Sequence, residues 1–176
     1  MGLCILAKIS IIFMQSEFSI RPLRSSDNKP LAAVLREVLV EFGVPKVGTA
    51  YADPVLDMMF DGYSLPRHAY WVVVDKQQIL GGGGIAPLNN ESETICELQK
   101  MYFHVKARGK GLGQKLITQL LQLAKSFDYT TCYLETMPNM IDAQKLYEKH
   151  GFSYINAPMG NTGHYSCPVW MTKSLV

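Results

Sequence analysis

The stretch ARGKGLGQKL, Ala107 to Leu116, places Gly109, Gly111 and Gly113 on alternate positions among the bases Arg108, Lys110 and Lys115. Alternating glycines leave backbone N–H groups uncovered, and the flanking cations can add charge-assisted contacts. An apolar, helix-spaced run begins at Leu112, so the segment reads as the turn that opens a helix. First-turn N–H groups of a helix have no intrahelical acceptor and carry the positive end of the macrodipole. Phosphate binding is the chemistry this arrangement suits.

Several phosphate carriers compete. A dinucleotide fingerprint needs G-x-G-x-x-G, whereas the spacing here is G-x-G-x-G, and Asp128 falls at the end of the helix rather than of the next strand. A Walker loop is excluded because no Gly-Lys-Ser/Thr follows the glycines, nor the second run Gly81–Gly84. The pyrophosphate of coenzyme A remains, beside the plainer reading of a glycine turn with a solvated basic face.

Composition narrows the classes. The 176 residues, 48% hydrophobic and 18% charged, suit one globular domain with a sizeable core. A net charge of +2 is too mild to predict nucleic-acid binding by itself, so any electropositive effect must be local. Cys4, Cys96, Cys132 and Cys167 are scattered, without C-x-x-C pairs or His at ligand spacing, so no metal site is expected and reduced thiols in the cytoplasm are. The apolar MGLCILAKISIIFMQ is short for a membrane span, lacks a basic n-region and A-x-A cleavage site, and misses the Ser/Thr of a myristoylation signal. Residues 1–15 therefore read as an extension or an extra strand, and residues 16–176 as the domain.

The elements that must position the glycine turn alternate in type. EFSIRP (Glu17–Pro22) reads as a strand. Ser26 or Asp27 caps a helix whose Leu31, Val34, Leu35, Val38 and Phe42 share one stripe. Residues 44–66 are irregular, with a short helix in PVLDMMF. HAYWVVVD and ILGGGGIAPL read as a hairpin, the glycines marking a bulge or the close approach of another backbone. ETICELQKMYFHV is a long strand, followed by the glycine turn and a helix on Leu112, Leu116, Leu120 and Leu123. TCYLET is a strand, Met140–His150 a helix closed by Gly151, and FSYINAP and HYSCPVWMTKSL two final strands. The fold class expected is mixed α/β.

Two blocks resemble the GNAT superfamily of acyl-CoA-dependent N-acetyltransferases. Arg108-Gly109-Lys110-Gly111-Leu112-Gly113 is similar to its Arg-Gly-x-Gly-x-Gly/Ala motif. YLETMPNMIDAQKLYEKHGF (Tyr133–Phe152) is similar to its second signature, with Ala143 in the helix and Leu146-Tyr147-Glu148-Lys149 before Gly151-Phe152. The layout covers nearly the whole chain. The resemblance implies a central, mostly antiparallel sheet with a splayed parallel pair, ETICELQKMYFHV beside TCYLET. It implies acetyl-CoA in the gap, its pyrophosphate on the Arg108–Gly113 loop and its pantetheine paired with the backbone of Met101, Tyr102, Phe103 and Val105. Relatives often carry an Asn where this chain has Met140; Asn139 is the adjacent substitute.

Acetyl transfer to an amine needs a base for the ammonium proton and an acid for the departing thiolate. Tyr147 matches the family position of the acid, and its phenol, with a reference pKa of about 10, is protonated at neutral pH. The alternative is that its ring merely packs on the sheet. Glu97 is the candidate base, in a strand otherwise apolar at Ile95, Cys96 and Leu98, where desolvation would raise its pKa; a solvated or ion-paired strand residue is the alternative, and Glu135 the runner-up.

Acceptor choice is expected from the least regular parts, residues 44–66 and the C-terminal hairpin. His164, in a Gly-Asn-Thr-Gly-His segment also found in some small acetyltransferases, could bind a carboxylate or relay a proton, or serve as a turn or core residue at a strand start. Tyr63 and Tyr51 could wall the pocket. The expected reaction is direct transfer to a primary amine of a small molecule; an acetyl-CoA-binding regulatory domain and a protein N-terminal or lysine acetyltransferase are the alternatives. No nucleic-acid or membrane partner is expected, and a homodimer only at family level.

Overall fold

The computed structural model describes residues 18–176. The readings made for residues 1–15 and for Glu17 lie outside the described residues.

Strands β1 (Phe18–Pro22), β2 (Ala69–Asp75), β3 (Gln78–Pro87), β4 (Ile95–Phe103), β5 (Thr131–Thr136), β6 (Ser153–Ile155) and β7 (Val169–Ser174) form a 7-stranded sheet in the order β1-β2-β3-β4-β5-β7-β6. Every neighbouring pair is antiparallel except β4 with β5. The helices are α1 (Asn28–Glu41), the single turn α2 (Met59–Gly62), α3 (Leu112–Ser126) and α4 (Ile141–Lys149). This is the mixed, mostly antiparallel arrangement with one parallel pair that the resemblance implies.

Two apolar layers clamp the sheet. Leu112, Leu116, Ile117, Leu120, Leu121 and Ala124 of α3 pack with Leu80, Ile85, Leu98 and Leu134 on one face. Leu31, Ala32 and Leu35 of α1 pack with Tyr70, Val72, Val74 and Ala86 on the other. Alternation of side chains along each strand supplies one apolar set to each layer, and a 3.6-residue stripe on each helix covers it.

The start of α1 departs from expectation. A 3-10 turn (Ser25–Asp27) precedes it, and Asp27 makes no side-chain cap on α1 but takes part in a capping box with Arg24 on that turn. Its carboxylate instead takes both guanidinium nitrogens of Arg21, at 2.6 and 2.9 Å, and the Arg24 N–H at 2.8 Å. An ion pair with a neighbouring strand outcompetes the local cap, and Arg21 holds the Asp27 carboxyl below its usual range.

The glycine run lies in β3, as expected of a place where another backbone comes close. Gly81 has φ 133°, and a side chain there would run into the Tyr102 carbonyl of β4. The β2–β3 register shifts beside it, between Val73 and Val74. Gly151 closes α4 at φ 83°, a left-handed C-terminal residue.

Candidate functional site

The site begins where the parallel pair comes apart. Only Ile95, Cys96 and Glu97 of β4 pair with β5, against Thr131, Cys132 and Tyr133. Beyond that rung β4 continues with β3 as far as Phe103, and β5 with β7 as far as Thr136. The cause is a bulge. Lys100 has φ 49°, and the β3–β4 register shifts between Gly82 and Gly84. A bulge bends its strand and re-aims the side chains beyond it, so Leu98 and Met101 both pack in the α3 layer while Tyr102 packs in the opposite one.

The opened edges lead into a cleft of about 450 Å³. All the residues expected at the cofactor line it except Val105 and Lys110. Val105 opens a 3-10 turn and is 61% exposed; the Lys110 ammonium lies 5.3 Å over the Phe18 ring, on the far side of the loop. On the cleft wall α3 starts at Gly111, which has φ 73° and supplies no side-chain cap. The N–H groups of Leu112, Gly113 and Gln114 thus have no intrahelical acceptor, and an anion in the cleft could take them.

The Arg108 side chain differs from the sequence expectation. Its Nη1 and Nη2 donate to Glu41 at 2.7 and 2.6 Å, and its Nε donates to the Phe103 carbonyl at 2.7 Å. The guanidinium also covers the Phe42 ring, 4.9 Å from its centroid. From the opposite wall Asn139 Nδ2 donates to the Phe42 carbonyl at 2.7 Å. The C-terminal end of α1 therefore straps the two walls together. The local motif carried no signal of this, because Glu41 comes from a distant part of the chain.

Proton-handling groups gather near the fork. Glu97 is 3% exposed, and burial pushes its pKa up to about 7, against a hydrogen bond from Gln99 Nε2 at 2.6 Å and the nearby Lys100 charge. Gln99 Oε1 in turn accepts from the Tyr63 hydroxyl at 2.7 Å, which fixes the amide with its donor towards Glu97. Glu135 is also pushed up by burial, but its two oxygens already accept from Tyr133 at 2.7 Å and Thr162 at 2.8 Å. Tyr147 is 6% exposed, 6.0 Å from Phe152 ring to ring, and burial holds its phenol well above the ordinary range. Its hydroxyl makes no hydrogen bond among the described residues. The Tyr102 phenol is raised by burial and then by Cys167, Tyr147, Glu97 and Glu135, so it senses both candidate proton groups at once.

A second pocket, of about 500 Å³, lies where the two irregular segments meet, and Tyr63, His164, Gln99 and Lys100 line it. Tyr51 does not. Its roof is the β6–β7 connection, tied down by Asn161 N to Asn89 O at 2.8 Å and Ser166 N to Gly48 O at 3.0 Å. His164 lies in this connection and not at a strand start, since β7 begins only at Val169. Burial, then the Lys100 charge, lowers the His164 pKa to about 4, so the ring is neutral at physiological pH. Lys100 Nζ pairs with Asp53 at 2.7 Å, the Lys100 side chain 5% exposed. Burial alone would raise Asp53; Lys100 overrides it and keeps the carboxyl below its usual range. Sequence reasoning missed Lys100, Asp53 and Gln99. Only Asp53 carried a signal, as a cap before Pro54, whose Val55 N–H it accepts.

Comparison with known proteins follows the same lines. The sequence model of the Acetyltransferase (GNAT) family matches residues 32–152 of the 176. The uncharacterized N-acetyltransferase YjgM of Escherichia coli strain K12 is 45% identical over 156 residues, 88% of this chain and 93% of its own. The N-acetylaspartate synthetase of Homo sapiens is 33% identical over 62% of this chain, which spans only 34% of that protein's length. A GNAT-family acetyltransferase from Staphylococcus aureus Mu50 superposes with a TM-score of 0.80 at 22% identity, over 91% of this chain and 100% of its own. The yncA structure from Salmonella typhimurium, a putative acetyltransferase with its cofactor acetyl-CoA, superposes at 0.72 and 15% identity over 92% and 95%. At such identities the solved structures show the fold alone. The family model and YjgM show more: this chain belongs to the GNAT acetyltransferase family and is an acyltransferase.

Proposed function

We propose that the chain, as a single acetyltransferase domain over residues 16–176, moves an acetyl group from acetyl-CoA to the primary amine of a small molecule by direct attack on the thioester. The observation that carries this reading is the fork. The parallel strands part at Glu97 and Tyr133, beside an uncapped helix start at Gly111. An extended, phosphate-ended ligand fits such a place: unpaired strand edges for its arm and free N–H groups for its pyrophosphate.

When bound, acetyl-CoA would supply the activated carbonyl; the residues supply proton control. Glu97 removes a proton from the acceptor ammonium, and a pKa of about 7 suits a base working near neutrality. The nitrogen bonds to the carbonyl carbon, the carbon–sulfur bond breaks, and Tyr147 gives its proton to the sulfur. Of the two protons the nitrogen sheds, one leaves through Glu97 and the other restores Tyr147. Burial keeps the Tyr147 proton in place until sulfur departs.

The unspent Tyr147 hydroxyl and the proton-poised Glu97 favour turnover over a regulatory domain. The relatives named for making an acetylated amino acid favour a small acceptor over a protein.

The test is acetyl-CoA-dependent thiol release across amino acids, polyamines, aminoglycosides and short peptides, with acetyl-CoA binding followed by calorimetry. Turnover of a small amine supports the proposal. Binding without turnover favours the regulatory reading, turnover of peptides alone the protein one, and absence of binding overturns all three.

A further inference from the structure

We propose that the acceptor is an amino acid, its carboxylate held by the Lys100 ammonium and the His164 ring in the pocket beside β4, its amine directed to Glu97. This rests on the acetyltransferase reading and deepens it.

Lys100 is an odd residue to find at the bulge. It takes φ 49° in mid-strand, a conformation side chains rarely adopt, and its charge is almost wholly buried. Backbone strain and a desolvated charge together persist where the surrounding structure demands them. Lys100 and its partner Asp53 both line the second pocket.

Hydrogen-bonding capacity decides what the pocket wants. An ammonium has three donors, and Asp53 is the partner of Lys100 Nζ among the described residues. Asp53 has less to spare: one oxygen takes Lys100 and the other accepts the Val55 N–H at 2.9 Å. The His164 ring makes no hydrogen bond among the described residues and, being neutral, keeps one N–H to give. The remaining Lys100 N–H groups and one His164 N–H are therefore unmet donors, beside the bare acceptor nitrogen of the neutral ring. A polyamine or aminoglycoside would bring a second cation against Lys100. A multiply charged anion would meet one lysine whose unit charge Asp53 already balances. An uncharged acceptor would leave buried donors unpaired. A single carboxylate fits.

The amine end follows from the same wall of the pocket. Gln99 and Tyr63 line it, and Gln99 reaches Glu97 at 2.6 Å. A molecule anchored at Lys100 and extending along β4 thus brings its far end to Gln99, one hydrogen bond from the candidate base.

The experiment compares amino acids of graded chain length with their carboxamides as acceptors of the full-length chain. The expected result is a KM at least tenfold lower for the acids. In the charge-neutral pair Lys100→Met with Asp53→Asn, the acid-over-amide ratio falls towards one. Independently of turnover, NMR of the His164 imidazole with coenzyme A present should show its pKa rising from about 4 when the acid binds, and not the amide, because only the acid adds a negative charge beside Lys100 and Asp53. Amides as good as acids in the wild type, or a preference that survives the double substitution, overturn the inference while leaving acetyl transfer intact. Absence of acetyl-CoA binding by calorimetry overturns the acetyltransferase reading, and this inference with it.

Discussion

Glu97 and Tyr133 form the last rung that the parallel strands share. The buried carboxylate therefore stands where the strands part, one Gln99 hydrogen bond behind the second pocket.

That position sets a pH dependence. Burial raises Glu97 to about 7, so kcat/KM should climb with an apparent pKa near 7 as the base loses its proton. Glu97→Gln should lower turnover by roughly 10²–10⁴-fold. A stopped-time assay from pH 5.5 to 9 reads both, and a flat profile would exclude Glu97 as the base.

The same shift has a stability cost of opposite sense. Folded Glu97 keeps its proton to a higher pH than the unfolded chain, with its ordinary value of 4.5, so its ionisation opposes folding. The contribution is harmless below 4.5 and becomes fully unfavourable above about 7. Glu97→Gln should therefore be more stable than wild type at alkaline pH, by on the order of 1–3 kcal/mol, and equal to it in acid. Thermal unfolding at the two extremes checks the sign.

Tyr147→Phe removes a hydroxyl without breaking a hydrogen bond among the described residues. Folding and acetyl-CoA affinity should persist, while turnover falls by about 10²-fold or more. Unchanged turnover with wild-type binding would leave Tyr147 as a packing residue.

Gly111 has φ 73°, and a side chain there would meet nothing within 4 Å. Gly111→Asn should fold well, since Asn tolerates the left-handed region. Gly111→Glu should weaken acetyl-CoA binding by at least about 100-fold, because a carboxylate would compete for the helix N-terminus. Calorimetry on the two variants separates charge from backbone strain.

Arg108 is held by Glu41 at 2.6 Å. Glu41→Gln should tighten acetyl-CoA binding a few-fold by releasing the guanidinium towards the loop. Stability should change little, since exposed pairs contribute about 0–1 kcal/mol. Weaker binding in Glu41→Gln would instead make the α1 strap part of the binding geometry.

What the sequence determined by itself was local or periodic. Helical stripes on Leu31 and Leu112, the glycine turn at a helix start, the close approach at Gly81 and the family signature ending at Phe152 all depend on residues near one another in the chain. Backbone geometry is decided over that range, and binary patterning exposes it. Residues 44–66 and the C-terminal segment also stood out as the least regular parts, but their meeting at one pocket was decided by the tertiary structure.

Tertiary structure decided the partnerships. Asp27 gave up its expected cap for Arg21, Arg108 gave its guanidinium to Glu41, and Lys110 turned to Phe18. Each is a choice among several nearby opposite charges or rings, and sequence spacing does not rank them. The bulge at Lys100 is the deepest case. A single left-handed residue in a strand that reads as continuous both opens the fork and sets a buried ammonium beside the second pocket. Its cause lies in the packing of β4 against the glycines of β3, which no property of Lys100 itself announces.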